Sequence, residues 1–240
     1  MGYERVLEIK PDHIDALHHL AIVYDAGGNR KRARQLWERG VDIGRSAIPK
    51  RFRRGSSKIP WERLENRPFL RCLHGHALAL SRDGRTEDAV AVLQEMLDYN
   101  PEDNLGAQEI LMDVLIRSCR FDEAVAHADR YKKNRSPDIL YGRSLALFML
   151  GNHEEAETAV SRAMKAYPRV AEELTKRTHA RPAGSRPGYI SPGGWDEAYE
   201  FWESQGKQWP KEAVRWLRGR LKIANREGDA DGRLSNDIVQ

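Results

Sequence analysis

The feature that most constrains this chain is a phrase it writes four times. The stretches "AGGNRKRA", "DGRTEDA", "CRFDEA" and "GNHEEA" set Gly28, Gly84, Cys119 and Gly151 in one register. An alanine follows each of them at a fixed distance: Ala33, Ala89, Ala124 and Ala156. Fixed spacing of this kind is the mark of a repeat architecture. A glycine between two stretches of helical periodicity reads as the end of one helix and the start of the next.

The flanking residues fill in the unit. Upstream, Leu17, Leu20, Ala21 and Tyr24 share one helix face, as do Leu73, His76, Ala77 and Leu80, and Leu140, Arg143, Ser144 and Leu147. Downstream, Ala33 and Trp37, Ala89 and Leu93, Ala124 and Ala128, and Ala156 and Val160 are spaced to lie on one stripe. Two antiparallel helices follow, touching at the alanine, because a larger side chain would push the axes beyond about 8–10 Å. The acidic pairs Glu87 and Asp88, Asp122 and Glu123, and Glu154 and Glu155 then fall in first turns, where carboxylates favour the positive end of the helix dipole. Their recurrence with the unit argues for helix starts over acid-base catalysis.

The expected layout is an all-α array of antiparallel helix pairs over 14–168, closed by a C-terminal helical cap over 169–226. The units are placed at about 14–47, 70–103, 105–136 and 137–168. Residues 1–13 read as the second helix of a truncated unit or as an N-terminal cap, and 227–240 as a disordered tail. An insertion at 48–69 interrupts the array and carries Lys50, Arg51, Arg53, Arg54 and Lys58. Its first part is expected to be mobile, with "PWERLEN" opening a short helix at Pro60. Four of the six tryptophans lie in the cap, whose aromatic side covers the end of the array.

These residues resemble the tetratricopeptide repeat: an apolar residue, then Leu and a small residue, then Tyr or Leu, then Ala, with Pro101 and Pro168 closing two units. Met112 at the small position of the third unit, and His76 and Arg143 in place of Leu, depart from that pattern. The order "NPEDNLGAQEIL", "YPRVAEEL", "GGWDEAYEFW" and "AVRWL" is similar to the suppressor-of-tumorigenicity-seven-like group of such proteins. The resemblance implies a right-handed superhelical course and a concave groove lined by the first helix of each unit. On this chain those positions are His18 and Ile22; Arg71, His74 and Leu78; Glu109, Asp113 and Arg117; Tyr141, Leu145 and Phe148. Asp15, Asp25 and Arg82 extend the same strip.

Chemistry is harder to find. The glycine-rich stretches "DAGGNR" and "SPGGWD" lack the strand-glycine-helix context and the Lys-Ser/Thr of a phosphate loop. In "CLHGH", Cys72 and His76 lie one helical turn apart, but a structural zinc site needs about four ligands. No metal, cofactor or catalytic set is implied, and the expectation is a protein without enzymatic activity. Two cysteines are too few for a disulfide framework and suggest a reducing, cytoplasmic setting. Nothing in the sequence approaches the roughly 18 apolar residues of a membrane span, so no membrane partner is expected.

The functional reading is therefore an adaptor or scaffold that holds a peptide or partner helix in its groove. The charges of the insertion, at a net chain charge of +4, offer an alternative: nucleic acid or another acidic polymer bound through Lys50, Arg51, Arg53, Arg54 and Lys58. Self-assembly through the apolar side of the first helix is the third reading.

Overall fold

The computed structural model describes residues 2–186 and 190–237. They form twelve α-helices joined by turns and two short 3-10 segments, with no strand among the described residues. The chain divides into two compact units, Met1–Val114 and Leu115–Gln240.

The first unit contains α1 (Gly2–Ile9), α2 (Ile14–Ala26), α3 (Arg30–Ala47), α4 (Arg67–Arg82) and α5 (Thr86–Tyr99). The helix α6 (Ala107–Arg117) ends it and runs past its boundary. The second unit contains α7 (Phe121–Arg130), α8 (Pro137–Met149), α9 (His153–Ala166), α10 (Pro168–Thr175), α11 (Trp195–Ser204) and α12 (Lys211–Asp237).

The recurring phrase is a recurring backbone turn. Gly28, Gly84 and Gly151 have φ of +81°, +73° and +79°, and Cys119 holds the same left-handed conformation at +57°. Each closes its helix with the same two hydrogen bonds. At the first turn Gly28 N–H donates to the Asp25 carbonyl and Asn29 N–H to that of Tyr24. At Cys119 the donors are Cys119 and Arg120 and the acceptors Ile116 and Leu115. Crossed bonds of this kind satisfy carbonyls that the end of a helix would otherwise leave open.

The alanine that follows sits at the helix contact. Ala33, Ala89, Ala124 and Ala156 are all 0% exposed. Around them α2 packs on α3, α4 on α5 and α8 on α9, and α4 also packs on α3 and α2. Between α3 and α4 the approach is closer still. A methyl group on Gly75 would overlap the indole of Trp37, and one on Gly44 would overlap the ring of Phe69. Glycine at these two sites is what lets the aromatic of the opposite helix reach the backbone.

In three places the chain departs from the sequence reading. The insertion is not a mobile loop: Ile59 N–H donates to the Tyr99 carbonyl at 2.8 Å, Arg54 Nε meets Asp98 Oδ2 at 2.7 Å, and Phe52 packs edge-on against Tyr99 at 5.6 Å. "PWERLEN" gives turns and a 3-10 segment at Leu64–Asn66, and the helix starts only at Arg67, because Asn66 folds back to the Pro60 carbonyl. Finally, α12 continues past Glu227, where the tail was placed, to Asp237; residues 238–240 lie outside the described residues.

Candidate functional site

In the first unit the expected strip assembles on α2 and α4. Arg71 Nη1 lies 3.6 Å from Asp15 Oδ1, and Arg82 Nη1 lies 2.9 Å from Asp25 Oδ2. The two pairs join the matching ends of α2 and α4, which run the same way. Exposed pairs of this kind stabilise by only about 0–1 kcal/mol, so their effect is orientation. Between them Ile22 is 45% exposed and Leu78 half-buried, with Val23 beside Ile22 at 56%.

The two histidines of the strip belong to its floor. The Trp37 indole N–H donates to His18 Nδ1 at 3.3 Å, which requires a neutral imidazole with a free lone pair. Burial, with help from His19 and Arg71 against the pull of Asp15, brings the His18 pKa down to about 4. Burial also lowers that of His74. His18 therefore anchors the floor by accepting from a core tryptophan. Arg71 also lies over the Trp61 ring at 5.6 Å, next to Arg67 at 4.9 Å.

In the second unit the same strip is covered, and the expectation of an open groove there is corrected. Tyr141 is 0% and Leu145 1% exposed. The Tyr141 ring packs on Phe201 of α11 at 5.6 Å and on Trp209 at 6.3 Å, and its hydroxyl donates to the Tyr167 carbonyl at 2.8 Å. Phe148 stacks on Trp216 of α12 at 4.6 Å, beside the core of Leu147, Ala156 and Ala159. The covering side chains come from α11, α12 and Trp209, in the segment read as a C-terminal cap. Of the α6 positions, Glu109 and Asp113 are half-buried and Arg117 is exposed.

The remaining candidates lie on the insertion, which divides its cations. Arg54 pairs with Asp98, as noted above, and neighbouring Arg45 forks onto Glu95 at 3.0 and 2.5 Å. The Tyr99 hydroxyl donates to the same Glu95 at 2.8 Å. The Arg53 guanidinium donates to the Lys50 and Phe52 carbonyls and the Lys58 ammonium to that of Gly55, so both shape the loop. Lys50 is exposed.

Arg51 and Lys58 line a hollow that the sequence did not reveal. It has a volume of about 830 Å³ and lies between the end of α3, the insertion and the start of α4. Its apolar walls include Ile14, Ala47, Ile48, Phe52, Ile59 and Phe69, and its charged lining is Arg51, Lys58, Arg63 and Glu65. The apolar spacing of Ile48, Phe52 and Ile59 within a basic loop was the available signal.

Among the described residues no group of three or more His, Cys, Asp or Glu side chains is placed to hold a metal ion, and Cys72 of "CLHGH" lies in the core. It is fully buried, where its side chain meets Gly40, and burial pushes its thiol up to about 12. Among the described residues no helix is long and apolar enough to cross a membrane.

The family model described as "Transcriptional repressor TCF25" matches residues 5–188, well over half of the chain. No curated protein matches it. The match corrects the resemblance to tetratricopeptide repeats and to the suppressor-of-tumorigenicity-seven-like group. Small residues at a helix crossing and glycine at a helix end are demands of any tight helix hairpin, and they do not identify a family.

Proposed function

This chain belongs to the family of transcriptional repressor TCF25, and on that premise we propose that it is a non-catalytic binding module of a transcription regulator. It holds a protein segment on the face of α2 and α4. The observation that carries this reading is the pair of ion bridges, Asp15 with Arg71 and Asp25 with Arg82, framing exposed Ile22 and half-buried Leu78. An apolar strip set in a polar frame suits a partner helix, which takes affinity from the apolar contacts and register from the charges. The family's role favours the nucleus over the cytoplasm expected from cysteine content.

Nucleic-acid binding through the insertion is the weaker reading. Arg54 is spent on Asp98, and Phe52, the only aromatic within the basic cluster, packs on Tyr99 and is not free to stack on a base. The test is recovery of nuclear partners by the affinity-tagged chain after chemical crosslinking, the parent being compared with the Ile22→Asp, Val23→Asp double variant. Both side chains are exposed, so the fold should survive, and circular dichroism checks it. Partner recovery should fall sharply; undiminished recovery by a folded double variant would overturn the proposal.

A further inference from the structure

The hollow beside the basic insertion carries a second inference, independent of the α2 and α4 face. We propose that it is a docking site for an acidic protein segment that inserts bulky apolar side chains. Its volume of about 830 Å³ falls in the roughly 300–1,000 Å³ range of sites that enclose a ligand. Its walls are aliphatic and aromatic, which selects apolar anchors.

The charges select the rest of the partner. Arg45, at the end of α3, and Arg54, in the insertion, are each neutralised by a carboxylate of α5. Arg51, Lys58 and Arg63 line the hollow and have no carboxylate partner among the described residues. Glu65 is the single acid of the lining. Three cations against one carboxylate, around an apolar floor, complement an acidic sequence with apolar residues set into it.

The site is also built before any partner arrives. Asn66 Nδ2 donates to the Pro60 carbonyl at 2.8 Å, Arg67 Nε to that of Trp61 at 3.0 Å, and Ile59 N–H to that of Tyr99 at 2.8 Å. A wall fixed by these bonds does not have to be ordered on binding, which lowers the cost of association. The same features disfavour a nucleic acid. Trp61 is covered by Arg67 and Arg71, Phe52 faces Tyr99, and an apolar floor offers nothing to a phosphate.

The experiment is fluorescence anisotropy on the whole chain with a short labelled peptide of Asp and Glu around a Leu-Trp pair. The comparison probes are the same peptide with Ser in place of the anchors and a single-stranded oligonucleotide of similar charge. The anchored peptide should bind saturably, and Ser replacement should weaken it by about thirtyfold. Reversing two rim charges with Arg51→Glu and Lys58→Glu should weaken it by about tenfold. Ala47→Trp, which fills the hollow from an exposed position without changing charge, should weaken it by a similar factor, and Arg63→Glu gives an independent check on folded protein. Equal binding of the anchored and Ser peptides, tighter binding of the oligonucleotide, or indifference to Ala47→Trp would each overturn the proposal.

Discussion

Equivalent positions in the two units meet opposite surroundings. Counted back from the contact alanine, Ile22, Leu78 and Leu145 occupy one place in the phrase, and His18, His74 and Tyr141 another. At the first place exposure goes from 45% at Ile22, through half-buried Leu78, to 1% at Leu145. The repeat sets which way a side chain leaves its helix, but later chain sets whether it meets solvent. In the second unit α11 and α12 bring Phe201, Trp209 and Trp216 over the strip; in the first unit ion pairs border it and leave it open.

The largest effect should come from uncovering the second unit. Trp209 is 6% exposed, and Trp209→Ala should cost about 3–5 kcal/mol in chemical denaturation. Ile22→Ala, on the open strip, should stay within about 0.5 kcal/mol of the parent. Similar losses for the two would erase the difference between the units.

Next in size are the glycines. Gly75→Ala forces a methyl group against Trp37 and should lower stability by about 1–3 kcal/mol in thermal melts. Gly219→Ala, on α12 with nothing near the added carbon, should raise it by up to about 1 kcal/mol. A neutral Gly75→Ala would show that α3 and α4 are not in close contact there.

A smaller effect depends on pH. The His18 pKa lies at about 4 in the fold against 6.5 in a free side chain, so the unfolded chain binds its proton first as pH falls. The stability tied to neutral His18 is complete above pH 6.5 and is lost progressively as pH drops towards 4. His74 and His76 are shifted in the same direction by burial. His18→Gln, which can still accept from Trp37, should flatten this dependence, and an NMR titration of His18 with a midpoint near 6.5 would contradict it. The smallest effect is at Cys119: Cys119→Gly relieves a side chain at φ +57° and should raise the melting temperature through a gain of about 1 kcal/mol or less.

Much of the fold is legible in the sequence because it is local. A left-handed turn residue and the alanine after it lie within two helical turns, so spacing alone places Gly28 with Ala33 and Gly151 with Ala156. The covered strip was not legible, since Tyr141 meets Phe201 and Trp209 across some sixty residues of chain. The insertion was misread for the same reason. A run of arginines looks solvated until Glu95, Asp98 and Tyr99, on a helix far along the sequence, are seen to hold it. Spacing also could not separate one helix-hairpin family from another, because the packing rule it reports is common to them.

The central claim, one strip open and its counterpart roofed, is tested most directly by hydroxyl-radical footprinting of the native chain with residue-level mass spectrometry. The account expects rapid modification of Ile22 and Val23, with Tyr141 and Leu145 protected until the chain unfolds. Modification of Tyr141 and Leu145 at rates comparable to Ile22 under native conditions would contradict it.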